Sequence, residues 1–584
     1  MKGFYKRSIV IDLTSRRFQI EPIDDDTLFR HLGGKGIASH LLYRINPPKI
    51  DPLAPDNTLI FATGPVAGSR IWGSSRYGVY TKSPQTGYYS ESYAGGKAPE
   101  AIDAVGFDTI AITGKSRHPL ILLIHPEGVE FHDAADIWGK ETYDTEDSVR
   151  ALFSHTVSKS EKSGALVIGP AGEKRVRFAV IENDYWRSAG RTGVGAVMGS
   201  KNLKAIFFKG DRKRTLHDPE GVKQFSRQIA EECKDHPVVR TFKTLGTPNM
   251  VKITNMAGAF PTRYWSLGTF DKWEKISAEA LHTECKVTPH ACAKCFIACG
   301  RLTTLKNGRH AGLQIEGPEY ETIFAFGGLC MVEDINEIAY LNDICDRLGM
   351  DTISAGNLCA FAMEASLRKA IDYKIDYGDV DGISKLLHAI AKREGIGDVL
   401  ADGIKTAAEK WNLQDLAVHV KGLDLPGYDP RVLKGCGLAF STSPRGACHL
   451  RATFHNPELK GKISPGNIPE TVGLFMDYED RLIIMDALIL CRFFRSIYPW
   501  DRLSEILRLV CGIDEDRDQL RKRAAFIANL VRQWNIREGL SPADDVLPKR
   551  LFREKLESGH SINEEDVKHM VNFYYRLRGW NEGE

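Results

Sequence analysis

The sequence predicts an α+β chain in which a β-rich N-terminal domain is followed by two mainly helical domains. Three observations carry that prediction. Up to residue 209 the apolar residues alternate or run in short β-branched blocks, as strands require. Beyond the basic run Lys209 to Arg214 they recur every three to four positions, as on the buried face of a helix. A glycine-proline corner, Gly422-Leu-Asp-Leu-Pro-Gly427, then divides the helical part. The expected domains are therefore 1–209, 210–421 and 422–584. At 584 residues the chain is too long for one hydrophobic core, and its interior is large enough to bury a prosthetic group.

Taken in order, strands are expected at Ser8–Leu13, Thr58–Ala62, Tyr77–Thr81, Thr109–Thr113, Leu120–Ile124, Ala165–Ile168, Val176–Ile181 and Ala205–Phe208, with a hairpin turn at His125-Pro-Glu-Gly128. Asp218-Pro219 reads as a helix start, the aspartate capping and the proline occupying the first helical position. Ile335, Ile338, Leu341, Cys345 and Leu348 share one helical face, which Gly349 closes. No internal repeat is apparent by inspection. Lysine plus arginine (78) nearly balances aspartate plus glutamate (76), a formal charge of +2 that gives no reason to expect nucleic acid or an anionic membrane as partner. The longest apolar runs, Leu120 to Ile124 and around Ile483 to Leu490, fall far short of a membrane span. The first residues read as a strand start rather than an export signal, so twelve cysteines suggest a reducing, cytoplasmic setting in which thiols act as ligands.

The stretch richest in chemistry is Cys292-Ala-Lys-Cys295-Phe-Ile-Ala-Cys299. Thiols at i, i+3 and i+7 would project from one face of a helical turn or line one tight loop, so one metal centre could collect all three. An iron-sulfur cluster would need a fourth thiolate from elsewhere, and a zinc ion a fourth nitrogen or sulfur ligand. Both stay open on spacing alone, as does a non-catalytic metal-binding interaction protein. Ala189 to Lys201 offers closely spaced amides, Gly193 and Gly195, and the cations Arg191 and Lys201, which suits either a phosphate cradle with Arg191 or Lys201 as counter-charge or a tight turn with close packing. Gly199-Ser-Lys201 reverses the Walker A order, and the segment is not a strict GxGxxG. Gly33-Gly-Lys-Gly36 and Tyr93-Ala-Gly95-Gly96-Lys97 are weaker versions, and several such loops suggest a ligand with more than one phosphate. Taken singly, Arg76 reads as a surface side chain, Glu319-Tyr-Glu321 as the exposed first turn of a helix, His449 as a structural histidine, and Asp346 and Asp351 as a helix end and the next helix's cap.

Together these segments resemble the tungsten-containing aldehyde:ferredoxin oxidoreductase family. The resemblance rests on the cysteine run, Glu316-Gly-Pro-Glu-Tyr-Glu321, Asp346-Arg-Leu-Gly-Met-Asp351, Ser443-Pro-Arg-Gly-Ala-Cys-His449-Leu, Asp486-Ala-Leu-Ile-Leu-Cys491 and Arg191-Thr-Gly-Val-Gly-Ala-Val-Met-Gly-Ser-Lys201, in that family's order over roughly residues 5 to 575. It implies a β base domain carrying a tungsten bis-pyranopterin cofactor (tungstopterin, with molybdenum left open), pterin phosphates sharing a magnesium ion, and a nearby 4Fe-4S cluster on Cys292, Cys295, Cys299 and Cys491. Arg76 would lie between cluster and pterin, and Ala189 to Lys201 would line the pterin phosphates, with Gly95 and Gly96 among the cofactor-binding residues. Asp346, Gly349 and Asp351 would contact one pterin and Asp486 the other, although Ile489 stands where that family usually has glycine. Glu321 would serve as general base, with Glu319 as fallback, and His449 as hydrogen-bond donor. The implied reaction is reversible oxidation of an aldehyde to a carboxylic acid, with electrons leaving to ferredoxin or a small iron-sulfur subunit, since no flavin or nicotinamide motif is apparent. An aryl-CoA reductase of the benzoyl-CoA type is the alternative within the same cofactor family. Phe260 to Trp265 and Phe324-Ala-Phe326 read from the residues more often as core, and otherwise as an apolar wall for a broad or aromatic aldehyde rather than a phosphorylated one. A homodimer and a larger complex both stay open.

Overall fold

Two six-stranded sheets fill residues 7–210 in the computed structural model, which describes residues 1–463 and 466–580. The first sheet is built from β1 (Arg7–Asp12), β2 (Arg17–Pro22), β3 (Leu59–Ala62), β4 (Tyr77–Lys82), β5 (Tyr89–Ala94) and β6 (Thr109–Thr113), in the order β2-β1-β6-β3-β4-β5. The second contains β7 (Leu120–His125), β8 (Gly128–Asp133), β9 (Lys162–Val167), β10 (Ile181–Asn183), β11 (Arg187–Ala189) and β12 (Leu203–Gly210), in the order β11-β10-β9-β12-β7-β8. Read from its other edge, the second sheet repeats the first strand for strand. In each, a hairpin leads through a parallel pair, β1 with β6 or β7 with β12, to three antiparallel pairings. The domain is thus doubled, which inspection of the sequence missed. What repeats is strand order and direction, and backbone pairing constrains few side-chain identities.

The central strands are buried on both faces, which explains why Leu120–Ile124 reads as a continuous apolar run instead of an alternating one. Most expected strands are present with ends shifted by a few residues, while β2, β5 and β11 lacked a clear pattern. Helices at Gly34–Ile45, Ala98–Ala104, Thr142–Phe153 and Val194–Ser200 cover the sheets. The strand expected at Val176–Ile181 is not one. Its backbone bonds to the helical region, with Arg177 N donating to Ala401 O and Val180 N to Gly349 O, and β10 begins only at Ile181. Those partners lie over 150 residues away in sequence, beyond any local pattern.

Helix signals read as expected where they are local. Asp218 accepts from Gly221 N at 2.8 Å with Pro219 first in its helix, and Gly349 closes Ile335–Leu348 at φ 78°. Apolar packing crosses position 421: residues 222–239 join 482–527 in one core, and 547–575 join 251–476 in another.

Two helix ends dock on the doubled sheets through glycine. β3 runs into Gly64-Pro65 and β9 into Gly169-Pro170. A Cβ on Gly64 would lie 2.2 Å from Leu488 O, and one on Gly169 would lie 2.4 Å from Leu348 O. Each collision is with backbone at a helix C-terminus, which cannot rotate away. The helix Ile468–Leu488 ends in Ile489 at φ 60°, a left-handed cap normally left to glycine.

Gly64→Ala and Gly169→Ala are each expected to destabilise the protein by about 1–3 kcal/mol through overpacking. Gly473→Ala, on an open face of the helix Ile468–Leu488 with nothing within 4 Å, should gain about 0.5–1 kcal/mol. Thermal midpoints of the three variants should order accordingly, and equal midpoints would show that the docking does not depend on glycine.

Candidate active site and metal centre

The cysteine run lies on a loop, not a helical turn. It joins β13 (Cys285–His290) to β14 (Gly300–Leu305), which pair antiparallel, and β15 (Gln314–Glu316) extends the hairpin. Left-handed residues at Lys294 (φ 51°) and Ala298 (φ 47°) turn the loop tightly enough to direct Cys292, Cys295 and Cys299 inward. Cys491 arrives from nearly 200 residues away, just past the Ile489 cap, its N bonded to Gly73 O at 2.9 Å. All four cysteines line one cavity together with Arg76 and Arg187. Arg76 Nη1 stands 3.8 Å from Cys491 Sγ, so this arginine is not a surface side chain. A Cβ on Gly95 would sit 2.8 Å from Cys292 Sγ, which requires glycine at the end of β5.

Burial, and then the neighbouring thiolates of Cys491 and Cys292, push the Cys295 thiol up to about 12. Burial likewise raises Cys299, against the opposing effect of Arg187. Such a ring of thiols becomes comfortable as thiolates only around positive charge. Among the described residues no three His, Cys, Asp or Glu side chains are gathered for a single metal ion. Four thiols on one cavity are the number of ligands that an iron-sulfur cluster or a zinc ion takes.

Beside this cavity is a buried polar layer between the sheets and the helices. Arg191, buried, donates from Nε to Asp351 Oδ2 at 3.2 Å, from Nη1 to Ala447 O at 3.0 Å and from Nη2 to Asp424 O at 2.7 Å. Asp351 also caps Thr352–Leu367 by accepting from the amides of Ile353 and Ser354, as the cap reading expects. Asp346 accepts from Asn342 Nδ2 at 2.7 Å; burial and then Asp343 raise it well above the usual carboxylate range. Glu182, raised by burial and then by Asp346, has a buried Oε2 with no partner. Asp486 is held by Arg451 at 3.2 Å and by Arg492, and Arg451 and Lys35 both reach Glu91, at 2.6 and 2.9 Å. Burial alone would raise the Glu91 carboxyl, but those two cations hold it well below its ordinary value.

Two arginines here keep unsatisfied donors although buried: Arg451 at Nε and Nη2, and Arg445 at Nε. Native proteins rarely leave buried guanidinium donors empty, and these would suit an anion such as phosphate. Of the run Arg445-Gly-Ala-Cys-His449-Leu-Arg451 only His449 was singled out from sequence, and the two flanking arginines were the missed signal. Lys35 lies in the glycine loop Gly33–Gly36 but was not itself singled out, and Glu91, Arg187, Glu182, Arg492 and Tyr428 had no local signal.

Several loop expectations are corrected. Lys201 does not face the site: its ammonium, pushed down to about 7 by burial, donates to Pro55 O at 2.7 Å and Gly114 O at 3.3 Å. Gly33 to Gly36 is not a phosphate loop, because Gly34 N is bonded to Thr63 O and a Cβ there would lie 2.4 Å from Asp486 O. Gly193 (φ 77°) and Gly195 are used in packing, where added Cβ atoms would lie 2.1 Å from Arg177 O and 2.2 Å from Val180 O. A Cβ on Gly96 (φ 105°) would lie 2.3 Å from the Asp184 carboxylate, and Gly96 O accepts from Ala293 N at 3.0 Å and Ser75 Oγ at 2.9 Å, both on the wall of the cysteine cavity. Phe260, Trp265 and Phe324 are fully buried against one another as core, not a substrate wall.

Glu321 is not an exposed first turn either. It sits where the single turn Tyr320–Thr322 passes into the wide helix Ile323–Leu329, a π-helical geometry frequent at functional sites. Its Oε2 accepts from Gly427 N at 3.0 Å, while its buried Oε1 lies 3.5 Å from His449 Nε2 without hydrogen-bond geometry. Burial pushes Glu321 up to about 8. Burial, then His455, drives His449 well below its usual range, so the imidazole is neutral. Tyr428 stacks on His455 at 3.9 Å and lies 5.8 Å from the His449 ring. Glu319 is engaged instead by Thr247 on the cysteine side.

With this geometry in hand, comparison with known proteins gives consistent matches. Residues 8–210 match the family described as aldehyde ferredoxin oxidoreductase, N-terminal domain, and residues 224–584 match its domains 2 and 3. The tungsten-containing aldehyde ferredoxin oxidoreductase of Pyrococcus furiosus is 36% identical over 600 residues, covering 100% of this chain and 97% of that protein. The aliphatic sulfonate oxidoreductase, WOR-like subunit, of the same organism is 27% identical over 623 residues, covering 100% and 95%. Among solved structures, the active site complex BamBC of benzoyl coenzyme A reductase with 1,5-dienoyl-CoA shares the fold, with a TM-score of 0.85 at 23% identity over 100% of this chain and 95% of that one.

Arg451→Ala would leave Glu91 and Asp486 short of a cation in a buried setting, at an expected cost of about 3–5 kcal/mol. Arg240→Ala breaks a pair whose side chains are 69% and 82% exposed, and should cost at most about 1 kcal/mol. Denaturation of the two variants tests this, and similar losses would mean that the Arg451 network carries no special weight.

Proposed function

The chain belongs to the aldehyde ferredoxin oxidoreductase family, and from that premise we propose that it oxidises aldehydes to carboxylic acids at a tungsten bis-pyranopterin centre. A 4Fe-4S cluster on Cys292, Cys295, Cys299 and Cys491 would pass the electrons to ferredoxin or a small iron-sulfur subunit. The balance is RCHO + H2O → RCOOH + 2 H⁺ + 2 e⁻. The observation that carries the reading is the buried Glu321–His449 pair in the same molecule as four cysteines drawn to one cavity.

The residues present suit the cofactor. Arg445 and Arg451 would donate their free N–H groups to the oxygens of the pterin phosphates. Asp346 and Glu182 on one side, and Asp486 on the other, would accept from pterin N–H groups, and Arg76 would bridge towards the cluster. When bound, the tungstopterin supplies the two-electron acceptor that no side chain can provide. The protein's share is proton transfer and positioning. Glu321 Oε1, free of any partner, would take the proton from the water that adds to the carbonyl carbon, and neutral His449, 3.5 Å away, would orient the carbonyl oxygen by donating from Nε2. The π-helical turn and the Gly427 amide hold the carboxylate in place for both.

Because Glu321 is protonated below about 8 and the base form is the active one, kcat/KM is expected to climb about tenfold per pH unit up to that region and then level off. Glu321→Gln should lower the rate by about 10²–10⁴ and flatten that limb; a full rate with the same pH profile would exclude Glu321 as the base. Cys491→Ser is expected to cost the cluster, read as iron per chain and as the low-temperature EPR signal of the reduced protein. Cys345→Ser, at a buried thiol outside the cavity, should keep both. Zinc in place of iron and tungsten in the wild-type protein would end the proposal.

A further inference from the structure

Two residues beyond Cys491, the side chain of Phe493 lines both the cysteine cavity and a surface groove of about 490 Å³. Phe242, from the far side of the groove, packs on it with ring centroids 4.5 Å apart. The groove thus adjoins the candidate cluster site through a shared aromatic wall. One of its sides is apolar and built from the helices Pro237–Leu245 and Asn249–Met256. The first buries Val239 and leaves Val238, Thr241 and Phe242 on the groove. On the second, Met250 and Ile253 line it; Ile253 is 38% exposed and Met256, one turn further, 74%. Apolar side chains grouped this way in water mark a surface that a partner covers.

The other side is basic. Lys460, Lys462, Arg481 and Arg495 line it, and among the described residues no carboxylate does. Lys460 and Lys462 are exposed at its mouth. Among the described residues none of the four cations makes an ion pair: Arg495 donates to Arg492 O at 2.9 Å, and Arg481 stands 5.1 Å over the Tyr478 ring with a buried Nε that has no partner. Elsewhere in this protein arginines are matched, Arg214 by Asp103 and Asp108, Arg431 by Asp429, Arg578 by Glu479 and Asp480. Unmatched cations beside an apolar face give a local positive potential that steers and orients a partner of opposite charge.

We propose that this groove is the docking site of the electron acceptor, and that the acceptor is a small, dissociable iron-sulfur protein with an acidic surface. Carboxylates of the carrier pair with Lys460 and Lys462, its apolar contacts cover Met250 and Ile253, and its cluster is brought up to Phe493. A recess of this volume suits an electron-transfer encounter, which buries less than about 1,200 Å² in total, better than a permanent subunit, which buries about 2,000 Å² or more. The inference rests on the aldehyde-oxidising reading and adds where its electrons leave. With Fd for a one-electron carrier, the balance is RCHO + H2O + 2 Fd(oxidised) → RCOOH + 2 H⁺ + 2 Fd(reduced). The C–O bond to water forms, the aldehydic C–H bond breaks, and two carriers dock in turn to take one electron each.

The probe is an acidic ferredoxin carrying a single 4Fe-4S cluster. Its binding to the cofactor-loaded enzyme is followed by calorimetry, and its reduction with pentanal as substrate is compared with that of a viologen, a dication that a basic groove does not attract. Ferredoxin binding should weaken at least about tenfold between about 0.05 and about 0.3 M salt. The double variant Lys460→Glu/Lys462→Glu should lower kcat/KM for ferredoxin about 10- to 100-fold, mainly through KM, and weaken calorimetric binding in parallel, while the viologen rate does not fall. Lys410→Glu/Lys522→Glu makes the same charge change at exposed lysines outside the groove, and should alter ferredoxin binding by less than about threefold. Equal losses in the two double variants, or none in either, would overturn the docking site while leaving aldehyde oxidation in place. An iron-sulfur subunit that copurifies and stays bound through gel filtration in high salt would overturn the dissociable carrier. Ferredoxin binding that depends on Lys460 and Lys462, with no aldehyde oxidised, would support the docking site and refute the reaction.

Discussion

Contact between backbone and backbone at Gly64 and Gly169 governs how the rest of the chain is arranged. At each glycine a sheet corner meets the carbonyl end of a long helix at a distance that no side chain could occupy. Beyond each helix end come the residues that matter: Met350 and Asp351 after Gly349, Leu490 and Cys491 after Ile489. Because the two sheets share one topology, two equivalent docking points exist, and they place Asp346 and Asp486 against opposite halves of the doubled domain. The left-handed conformation of Ile489 fits this picture. Its side chain packs over Gly34, so the strain at that residue is offset by burial on the glycine-rich start of the helix Gly34–Ile45.

Electrostatics then divides residues that burial alone would treat alike. Glu91 and Glu321 are both carboxylates removed from water. Glu91 has Arg451 and Lys35 within 3 Å and stays ionised, whereas Glu321 has an amide, a neutral imidazole and no close cation, and is raised to about 8. One is a structural anion and the other a group that can exchange a proton near neutrality. The arginines follow the same logic. Arg214, Arg431 and Arg578 are matched by carboxylates and fix the fold, whereas Arg445, and Arg451 despite its two carboxylate partners, keep buried donors free for an anion from outside the chain.

Much of the candidate site was legible as motifs, and much less as geometry. Cys292, Cys295 and Cys299 stand out through spacing, and Cys491 only through a resemblance. Lys201 shows the limit in the other direction: in a glycine-rich segment it reads as a phosphate ligand, yet its ammonium is spent on two carbonyls from distant loops. Gly193 and Gly195 show the same, since a glycine that admits a phosphate and one that admits a neighbouring carbonyl look identical in sequence.

By itself the sequence determined what depends on contiguous residues: the change from strand to helix near residue 210, the Asp218 cap, the Gly349 stop, and the cysteine spacing, because capping and periodicity are set within a few positions along the chain. The tertiary structure alone decided that the sheets are doubled, that Cys491 lines one cavity with the loop cysteines as the resemblance implied but no local pattern could show, and that Glu321 is buried beside a neutral His449. Those properties are sums over neighbours separated by tens to hundreds of residues. Burial and local charge set them, and both exist only once the chain has folded.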